Sequence, residues 1–393
     1  MRAKLDIAIA GCGVAGLSAA AMLARDGHRV VMFDKLAAPE PIGSGIILQP
    51  VGLAALDAVG VGDAMRALGA PIKRLFGKVS RSGRTVLDVR YAALGADAAS
   101  GLAVHRGALF QLLYDAAKDA GAEIVPSREV LAQENGAFVF VDGARSARFD
   151  LLIDALGMRS PLCGKVSEPL AFGALWANLD WCEGFAPDTL EQRYEAARMM
   201  AGVLPIGRLP GGTKTQAAFF WSLKGADHAA WRAAPIEAWK EDVLRLWPDT
   251  APLLAQIDAH DDLVFARYLH RTLSAPVARG LAHIGDSWHC ASPQLGQGAN
   301  MALLDALALV RAIEARNDLA DALALYARMR RWHIRLYQLA SFLFTPAYQS
   351  DSAAIAWLRD WIVAPLARVP PAPAVLAALV AGRLAARWAR SSD

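Results

Sequence analysis

Glycines near the start of the chain have the spacing of a nucleotide-binding turn. Gly11, Gly13 and Gly16 follow a short apolar run over residues 5–10 and precede a helical pattern over residues 17–26. The first glycine allows a tight turn, the second lets a pyrophosphate approach the backbone, and the third lets the helix pack closely on the strand. Free N–H groups at the start of the helix can then bind phosphate. The pattern predicts a dinucleotide site, and a glycine turn that only packs a helix is the alternative.

An acidic residue completes this pattern after a second predicted strand. The strand spans residues 28–33 and is followed by Asp34, whose carboxylate can accept hydrogen bonds from a ribose diol. Val14 and Ala15 lie inside the turn and Lys35 follows the acid, so we include these residues among the predicted cofactor contacts. The N-terminal stretch therefore predicts a strand–helix–strand unit that binds a dinucleotide.

The composition is that of a globular protein with a large core. A chain of 393 residues can form about two domains. With 55% hydrophobic and 20% charged residues, the composition excludes a disordered chain. The 41 basic and 38 acidic residues are nearly balanced and scattered, so the sequence indicates no nucleic-acid partner. No run reaches the roughly 18 apolar residues of a membrane span, and we expect no stable membrane insertion.

The cysteines carry information about metal binding and location. Cys12, Cys163, Cys182 and Cys290 are scattered and form no CxxC or metal-ligand spacing. We therefore expect reduced thiols, no bound metal and a cytoplasmic location. Two basic residues before the first apolar run have the outline of a signal peptide. Cleavage there would remove the first predicted strand, so we expect no targeting segment.

The order of the predicted elements indicates two domains, each formed by separated segments of the chain. The strand–helix pattern is interrupted by a predicted hairpin over residues 72–89 and by β-rich, tryptophan-rich segments, and it returns near residue 282. The predicted fold class is α/β, with a Rossmann-like nucleotide-binding domain, an inserted β-sheet substrate domain and a helical C-terminal tail. We assign residues 1–71, 99–168 and 276–335 to the first domain, 72–98 and 169–275 to the second, and 336–393 to the C-terminal helices.

Three segments together resemble the FAD-dependent aromatic hydroxylases, the single-component flavoprotein monooxygenases with the p-hydroxybenzoate hydroxylase fold. They are the glycine turn 11–16, the predicted strand and turn 150–160, and the block 285–300. The block is the most specific, because it keeps the family order of Gly-Asp, then a proline, then Gly-x-Gly-x-Asn. Arg106 also matches the family in its Arg-x-x-Leu context. The resemblance runs from about residue 5 to residue 349 and is loose in the middle.

The resemblance implies one FAD held by residues from all three segments. The Asp286 carboxylate would bind the ribityl hydroxyls, and Arg106 would lie over the pyrophosphate or adenosine half. The N-terminus of a helix beginning at Asn300 would face the flavin atoms that become negative on reduction. The predicted cofactor-binding residues are Gly11, Gly13, Val14, Ala15, Gly16, Asp34, Lys35, Arg106, Asp286, Pro293, Gly296, Gly298, Ala299 and Asn300.

Other residues are candidates for catalysis and for substrate binding. His289 lies in the predicted flavin loop, where it could relay a proton, although a histidine there is as often structural. Gln49, Trp176, Arg193 and Trp221 are candidate contacts for the family's aromatic substrate. Aromatic residues in strands belong more often to the core, which is the alternative for both tryptophans.

The sequence departs from the family at the turn that serves both FAD and NAD(P)H. Leu156 stands where the family has an aspartate, and Cys163 stands where an arginine is common. Leucine cannot accept a hydrogen bond, so NAD(P)H as the direct electron donor is in doubt. Asp154 lies two residues earlier and would share the face of Leu156 on a strand, where it could compensate in part.

The resemblance implies an FAD-dependent monooxygenase that hydroxylates or epoxidises an aromatic or polycyclic small molecule through a flavin C4a-hydroperoxide. Its co-substrate would be molecular oxygen; a separate reductase and a second copy of the chain are further candidate partners. One alternative is a flavin oxidoreductase on the same scaffold that inserts no oxygen. Among these, a halogenase is disfavoured, because no Gly-Trp-x-Trp-x-Ile-Pro motif occurs. The other alternative is a non-catalytic flavin-binding accessory protein, which the residues at positions 156 and 163 suggest.

Overall fold

The computed structural model describes residues 4–40, 43–96, 98–164 and 167–384; the end of the predicted C-terminal helical segment lies outside these ranges. The β-strands are β1 (Asp6–Ala10), β2 (Arg29–Phe33), β3 (Ile46–Leu48), β4 (Ala70–Ile72), β5 (Arg74–Val79), β6 (Thr85–Arg90), β7 (Gly101–Val104), β8 (Glu123–Val125), β9 (Val130–Glu134), β10 (Ala137–Phe140), β11 (Leu151–Asp154), β12 (Phe172–Asp180), β13 (Thr189–Glu195), β14 (Met199–Gly207), β15 (Gln216–Lys224), β16 (Val264–Ala266), β17 (Arg271–Thr272), β18 (Val277–Ala278), β19 (Leu281–His283) and β20 (His289–Cys290). The α-helices are α1 (Val14–Arg25), α2 (Pro50–Val59), α3 (Gly62–Leu68), α4 (Arg106–Asp119), α5 (His228–Ala233), α6 (Ile236–Leu246), α7 (Ala251–Leu254), α8 (Gly298–Ala315), α9 (Leu319–Tyr348), α10 (Ala353–Leu358), α11 (Ala364–Leu366) and α12 (Ala372–Val380).

A six-stranded sheet contains the predicted strand–helix–strand unit. Its strand order is β18-β19-β11-β1-β2-β8. All its pairs are parallel except the β18–β19 edge pair. Such a sheet must be covered on both faces, which is why its strands are almost continuously apolar. Ile7 and Ile9 point to the helical layer of α1, α4 and α8, whereas Ala8 and Ala10 pack against the β9–β10 ribbon.

A second sheet of seven strands has the order β16-β12-β15-β14-β13-β5-β6. Two distant segments meet in it, because β5 pairs in parallel with β13 in a register that sets Arg74 opposite Thr189. One face of this sheet packs on α6 through a tryptophan-rich core that includes Trp239 and Trp247. The other face packs on a three-stranded sheet of order β3-β7-β4 and on the C-terminal helix α12.

The C-terminal helices close over that other face. The tail, as we call residues 353–384, consists of α10, a π-helical turn over Arg359–Val363, α11 and α12. The end of α12 is tied to the body by two hydrogen bonds. The Tyr337 hydroxyl donates to the Leu379 carbonyl at 2.8 Å, and Gln297 Nε2 donates to the Val380 carbonyl at 2.6 Å. No helix in the described ranges is long and apolar enough to cross a membrane.

Two expectations about local structure differ from the result. The helix expected to begin at Asn300 begins at Gly298. The short run over residues 282–286 predicts a strand that ends at Asp286, but Asp286 lies in a 3-10 turn over Gly285–Ser287, after β19 has ended at His283. The glycine at the first position of that turn has φ of 62°, and this left-handed conformation stops the strand early.

Candidate FAD and substrate site

One cavity of about 1980 Å³ brings the three predicted segments together. Its walls include the glycine turn, Asp34, the turn after β11 and the loop that leads into α8. It continues without a break between the seven-stranded sheet and the tail. A site for one small ligand commonly measures about 300–1,000 Å³, so this cavity has room for a large cofactor and a second molecule.

The glycine turn has the shape that the sequence predicts. Gly11 has φ of 102°, and a Cβ there would lie 2.6 Å from the Ala155 carbonyl oxygen. A Cβ on Gly16 would collide with the carbonyl oxygen of Gly11, so these two glycines allow α1 to pack on the sheet. A Cβ on Gly13 would meet no atom of the described residues within 4 Å, and this residue lines the cavity. The space beside Gly13 is therefore available to a ligand.

The acid at the end of β2 is held in place by the turn itself. Asp34 Oδ2 accepts a hydrogen bond from the Cys12 backbone N–H at 2.8 Å, and Oδ1 accepts one from the Leu36 N–H at 2.9 Å. Each carboxylate oxygen can accept a further bond, so the group remains able to bind ribose hydroxyls. Asp34 and Lys35 both line the cavity.

Two opposite charges lie near each other in the cavity wall. Arg106 and Asp286 both line it, and burial lowers the pKa of the Arg106 guanidinium while it raises the pKa of the Asp286 carboxyl. Each group favours the charged form of the other and so opposes these shifts. The Asp286 backbone is fixed by Arg271, whose Nη2 donates to the Asp286 carbonyl at 3.1 Å. A polar ligand at this point would find an acceptor and a donor together.

The loop before α8 presents backbone to the cavity. Pro293, Gly296, Gly298 and Ala299 line the cavity, and a Cβ on Gly298 would have no neighbour within 4 Å in the part of the chain that the structure describes. Because α8 begins at Gly298, its free N–H groups and positive dipole end lie at the cavity wall. These open glycines and the acid–arginine pair fit FAD, which would be held by its pyrophosphate at the glycine turn and by its flavin end near Gly298.

Known proteins support this assignment. Residues 4–162 match the family model described as an FAD binding domain. The aurachin C monooxygenase/isomerase of Stigmatella aurantiaca is 26% identical over 375 residues, which cover 92% of this chain and 94% of that protein. The FAD-dependent urate hydroxylase of Klebsiella pneumoniae is 25% identical over 352 residues, which cover 83% of this chain and 86% of that protein. Over most of its length the chain is therefore similar to FAD-dependent monooxygenases of the aromatic hydroxylase type.

A solved structure shows the same fold for this flavoprotein. A variant of HpxO from Klebsiella pneumoniae, determined in complex with FAD, superposes with a TM-score of 0.78 at 20% identity. The match covers 96% of this chain and 99% of that protein. The tetrameric form of 2-methyl-3-hydroxypyridine-5-carboxylic acid oxygenase superposes with a TM-score of 0.76 at 20% identity, covering 93% of this chain and 98% of that protein.

Three predicted cofactor-binding residues of the flavoprotein do not line the cavity. Ala15 and Gly16 lie behind the turn, where they pack α1 on the sheet. Asn300 is fully buried and cross-links the backbone instead. Its Oδ1 accepts from the Gln49 N–H at 2.7 Å, and its Nδ2 donates to the carbonyls of Ile47 and Gly296 at 3.0 Å. Asn300 therefore shapes the flavin loop and does not reach the cavity.

His289 lines the cavity but is already engaged on one side. Its Nε2 lies 2.7 Å from Asp305 Oδ2. The same carboxylate group accepts from Arg330 Nε at 2.6 Å and from the Gly285 N–H at 2.8 Å. Arg330 and Asp305 are both fully buried. This network fixes the turn that carries Asp286, and a proton relay through His289 would have to use its other ring nitrogen.

Of the two departures at the turn after β11, Cys163 lies in a buried polar cluster and Leu156 does not. Asp154 is fully buried, and its Oδ2 accepts from the Ser160 hydroxyl at 2.6 Å and lies 2.8 Å from His283 Nδ1. The Cys163 thiol donates to the Ser287 carbonyl at 3.0 Å. Leu156 itself lines the cavity. The expectation that Asp154 compensates for Leu156 is therefore wrong, because the Asp154 carboxylate points into the interior and binds there.

The Asp154–His283 pair predicts a loss of stability in alkaline solution. Burial disfavours the charged imidazole, but Asp154, together with Cys163, outweighs this and raises the pKa of His283 to about 9. Stability from the pair is complete below the unfolded pKa of about 6.5 and is lost as pH rises through 9. We expect the free energy of unfolding to fall by on the order of 2–3 kcal/mol across this window. Urea unfolding at a series of pH values measures the fall, and His283→Gln should remove it; an equal slope in that variant contradicts the assignment.

Two of the four predicted substrate contacts lie in the cavity and two do not. Gln49 and Trp176 line it, and the Gln49 side chain accepts from the Tyr91 hydroxyl at 2.6 Å. Arg193 instead stacks on Trp247, with 4.3 Å from its Cζ to the ring centroid, and Trp221 belongs to the core beneath α6.

These two misses have one cause. Successive side chains of a strand point to opposite faces, and the neighbours Gln192 and Phe220 are the ones that line the cavity. The prediction for Arg193 and Trp221 therefore chose the right strands and the wrong face.

Several cavity residues carry no signal in the sequence. Tyr268 lines the cavity, and its hydroxyl accepts a hydrogen bond from Trp176 Nε1 at 2.8 Å. Burial raises the pKa of this hydroxyl to about 12. Gln349 and the α12 residues Leu376 and Leu379 line the far end. No motif marks these positions. The apolar composition of the segment that forms α12 is the one sequence feature that points to a buried position for Leu376 and Leu379.

Proposed function

We propose that this flavoprotein hydroxylates or epoxidises a neutral, largely apolar aromatic or polycyclic molecule, using FAD and molecular oxygen. The observation that carries the proposal is the single cavity that joins the predicted FAD site to an apolar chamber. The chamber is the part of the cavity between the seven-stranded sheet and the tail. A substrate there would lie beside the flavin end of the cofactor and away from bulk water.

The side chains of the chamber favour a neutral substrate. The described strands β12 to β15 and helix α12 contribute no charged side chain to it, whereas Asp88 of β6 and Arg368 of the tail line the same cavity. Their cavity-lining side chains are aromatic, aliphatic or neutral polar; they are Ala174, Trp176, Leu190, Gln192, Tyr194, Met200, Leu204, Phe220, Ala372, Val375, Leu376, Leu379 and Val380. A carboxylate bound against β12 to β15 and α12 would lose its hydration without a charged partner among them, which costs several kcal/mol.

One residue of the chamber wall has a buried acceptor without a partner among the described residues. Gln349 is 6% exposed and lines the cavity. Its Nε2 donates to the Gly173 carbonyl at 3.3 Å, whereas its Oε1 has no partner among the described residues. Because Oε1 is itself buried, the Gln349 side chain would have to turn toward the chamber to accept a hydrogen bond from a substrate O–H or N–H; a buried acceptor without a partner is costly, so this turn would gain both a bond and orientation.

The protein's part in the reaction is to position the cofactor and the substrate and to exclude water. Bound FAD would supply the activation of oxygen and the passage of electrons. Arg106, Asp286 and the N-terminus of α8 would hold it, and the positive helix end would favour negative charge at the nearby ring. Trp176 and Phe220, whose ring centroids lie 4.7 Å apart, form an aromatic wall for the substrate and keep water out.

The source of electrons and the assembly are further parts of the proposal. NAD(P)H remains the donor that we propose, with a separate reductase as the alternative because Leu156 offers no hydrogen bond. The free cysteines support a cytoplasmic protein. An exposed apolar face on α9 supports a homodimer; its residues are Trp332, Leu339, Phe342 and Leu343.

Oxygen uptake by the purified FAD-loaded protein tests the function. We expect neutral phenols or polycyclic aromatics to accelerate uptake with NADH or NADPH, and the product to gain one oxygen atom. Uptake that yields only hydrogen peroxide with every substrate would favour the oxidoreductase without oxygen insertion. No flavin reduction by either nucleotide or by an added reductase would favour the accessory protein. Carboxylated analogues of active substrates are the matched controls and should be poor substrates.

A further inference from the structure

The rim of the chamber is an exposed apolar surface. The tail patch consists of side chains that are each 51–61% exposed, namely Trp357, Trp361, Val363, Leu366, Val369 and Val375. Three of them, Val363, Leu366 and Val375, also line the cavity. The patch is therefore continuous with the mouth through which the chamber reaches the surface. Isolated exposed apolar residues are common, but a contiguous set around a cavity mouth indicates a binding surface.

Basic side chains flank this patch. The Arg84 guanidinium lies 3.2 Å from the centroid of the Trp361 ring, and Arg368 Nη2 donates to the Thr85 carbonyl at 2.7 Å. Both arginines thus lie beside the same end of β6, and neither is in an ion pair with an acid in the part of the chain that the structure describes. Asp360, the acid within the patch sequence, is bound to Arg359 at 2.6 Å. The surface is apolar in the middle and positive at its edge.

We propose that the tail patch docks on an anionic lipid surface. Tryptophans suit the boundary between lipid and water, and apolar side chains with flanking arginines are typical of surface-bound segments that do not cross the bilayer. The docked protein would turn the mouth of its apolar chamber toward the bilayer. This inference goes beyond the proposed reaction, and the docking itself does not depend on it.

A second copy of the chain fits the patch less well. In a symmetric dimer the same surface meets itself, so the arginines at positions 84 and 368 of both copies would be brought together without acidic partners. An anionic bilayer supplies the opposite charge and accepts the apolar side chains at once. The charge pattern therefore selects lipid as the occupant.

Flotation of the FAD-loaded full chain with vesicles tests the proposal. We expect the wild type to float with vesicles of phosphatidylcholine and phosphatidylglycerol, and less with phosphatidylcholine alone. Trp357→Ser with Trp361→Ser should lower the partition coefficient by about tenfold or more, because two interfacial anchors are lost. The matched control is Leu131→Ser with Val141→Ser, which removes side chains that are 53% and 58% exposed near the β9–β10 ribbon. It should float like the wild type.

A second variant keeps the test independent of folding defects. Arg84→Gln with Arg368→Gln leaves the apolar patch in place and should reduce the preference for anionic over neutral vesicles. FAD content and thermal unfolding confirm that each variant is folded. Failure of the wild type to float, or equal flotation of the tryptophan variant, would overturn the proposal. So would a wild-type dimer in sedimentation velocity that the tryptophan substitutions dissociate and that does not bind vesicles. None of these readouts uses oxygen uptake, so the reaction and the docking fail or hold separately.

Discussion

Replacing Gly13 with valine is expected to leave the protein folded and to weaken FAD binding severely. A Cβ at this position would lie more than 4 Å from every described protein atom outside the turn, and the residue lies at the cavity wall. Its φ of −82° is one that valine adopts without strain. The added side chain would occupy the space predicted for the pyrophosphate. We expect a loss of about 1–3 kcal/mol in binding, or up to about a hundredfold in Kd.

The apoprotein distinguishes this effect from a folding defect. Titration with FAD, followed by the quenching of flavin fluorescence, gives the affinity, and thermal unfolding of the apoprotein gives the stability. Gly16→Val is the contrasting variant, because its side chain would meet the Gly11 carbonyl and should destabilise the apoprotein itself. An unchanged FAD affinity in folded Gly13→Val would remove the glycine turn from the cofactor site.

Replacing Arg330 with methionine is expected to destabilise the protein by about 3–5 kcal/mol. Arg330 and Asp305 are each fully buried, and Arg330 Nε donates to Asp305 Oδ1 at 2.6 Å. Burial opposes ionisation of Asp305, but His289 and Arg330 outweigh it and hold the pKa of that carboxyl below its usual value. Without the guanidinium, a buried carboxylate would keep only the Gly285 N–H and His289 as partners among the described residues.

Urea unfolding of the holoprotein measures this loss. The matched control is Arg66→Met, which breaks the exposed pair of Arg66 with Asp57 at 2.7 Å and should cost less than about 1 kcal/mol. Adding Asp305→Asn to the Arg330 variant should recover part of the lost stability, because the unpaired charge is removed. Similar losses of unfolding free energy for Arg330→Met and Arg66→Met would show that the buried pair stabilises the protein no more than an exposed pair does.

The sequence predicts the FAD half of the molecule well because its signals are local. Gly11, Gly13 and Gly16 must stand at fixed spacing for one turn to form, and Asp34 must follow the next strand. The block from Gly285 to Asn300 is equally compact. Each of these features is decided by neighbouring residues, so reading along the chain is sufficient to find them.

The substrate half is predicted less well, because its lining depends on which face of each strand packs on α6 and which face lies toward the tail. Trp221 and Phe220 are adjacent aromatic residues, and only the packing of α6 and the tail on opposite faces of the sheet decides which one enters the chamber. The Gln349 side chain is positioned by a hydrogen bond to the Gly173 carbonyl of β12, which is distant in sequence. Asn300 matches a family motif, yet its side chain turns to the backbone of β3, which no local pattern records.

The parallel pairing of β5 with β13 has a consequence during synthesis on the ribosome. The β5–β6 hairpin emerges long before its partner, since β5 begins at Arg74 and β13 begins at Thr189. Until then β5 has an unpaired edge, which in a nascent chain is a site for association with other chains. The charged side chain of Lys78 on that strand disfavours pairing with other chains, whereas Arg74 is already paired with Asp88 of β6 at 2.7 Å. A charged side chain with no role in catalysis thus disfavours aggregation of the nascent chain until β13 has been synthesised.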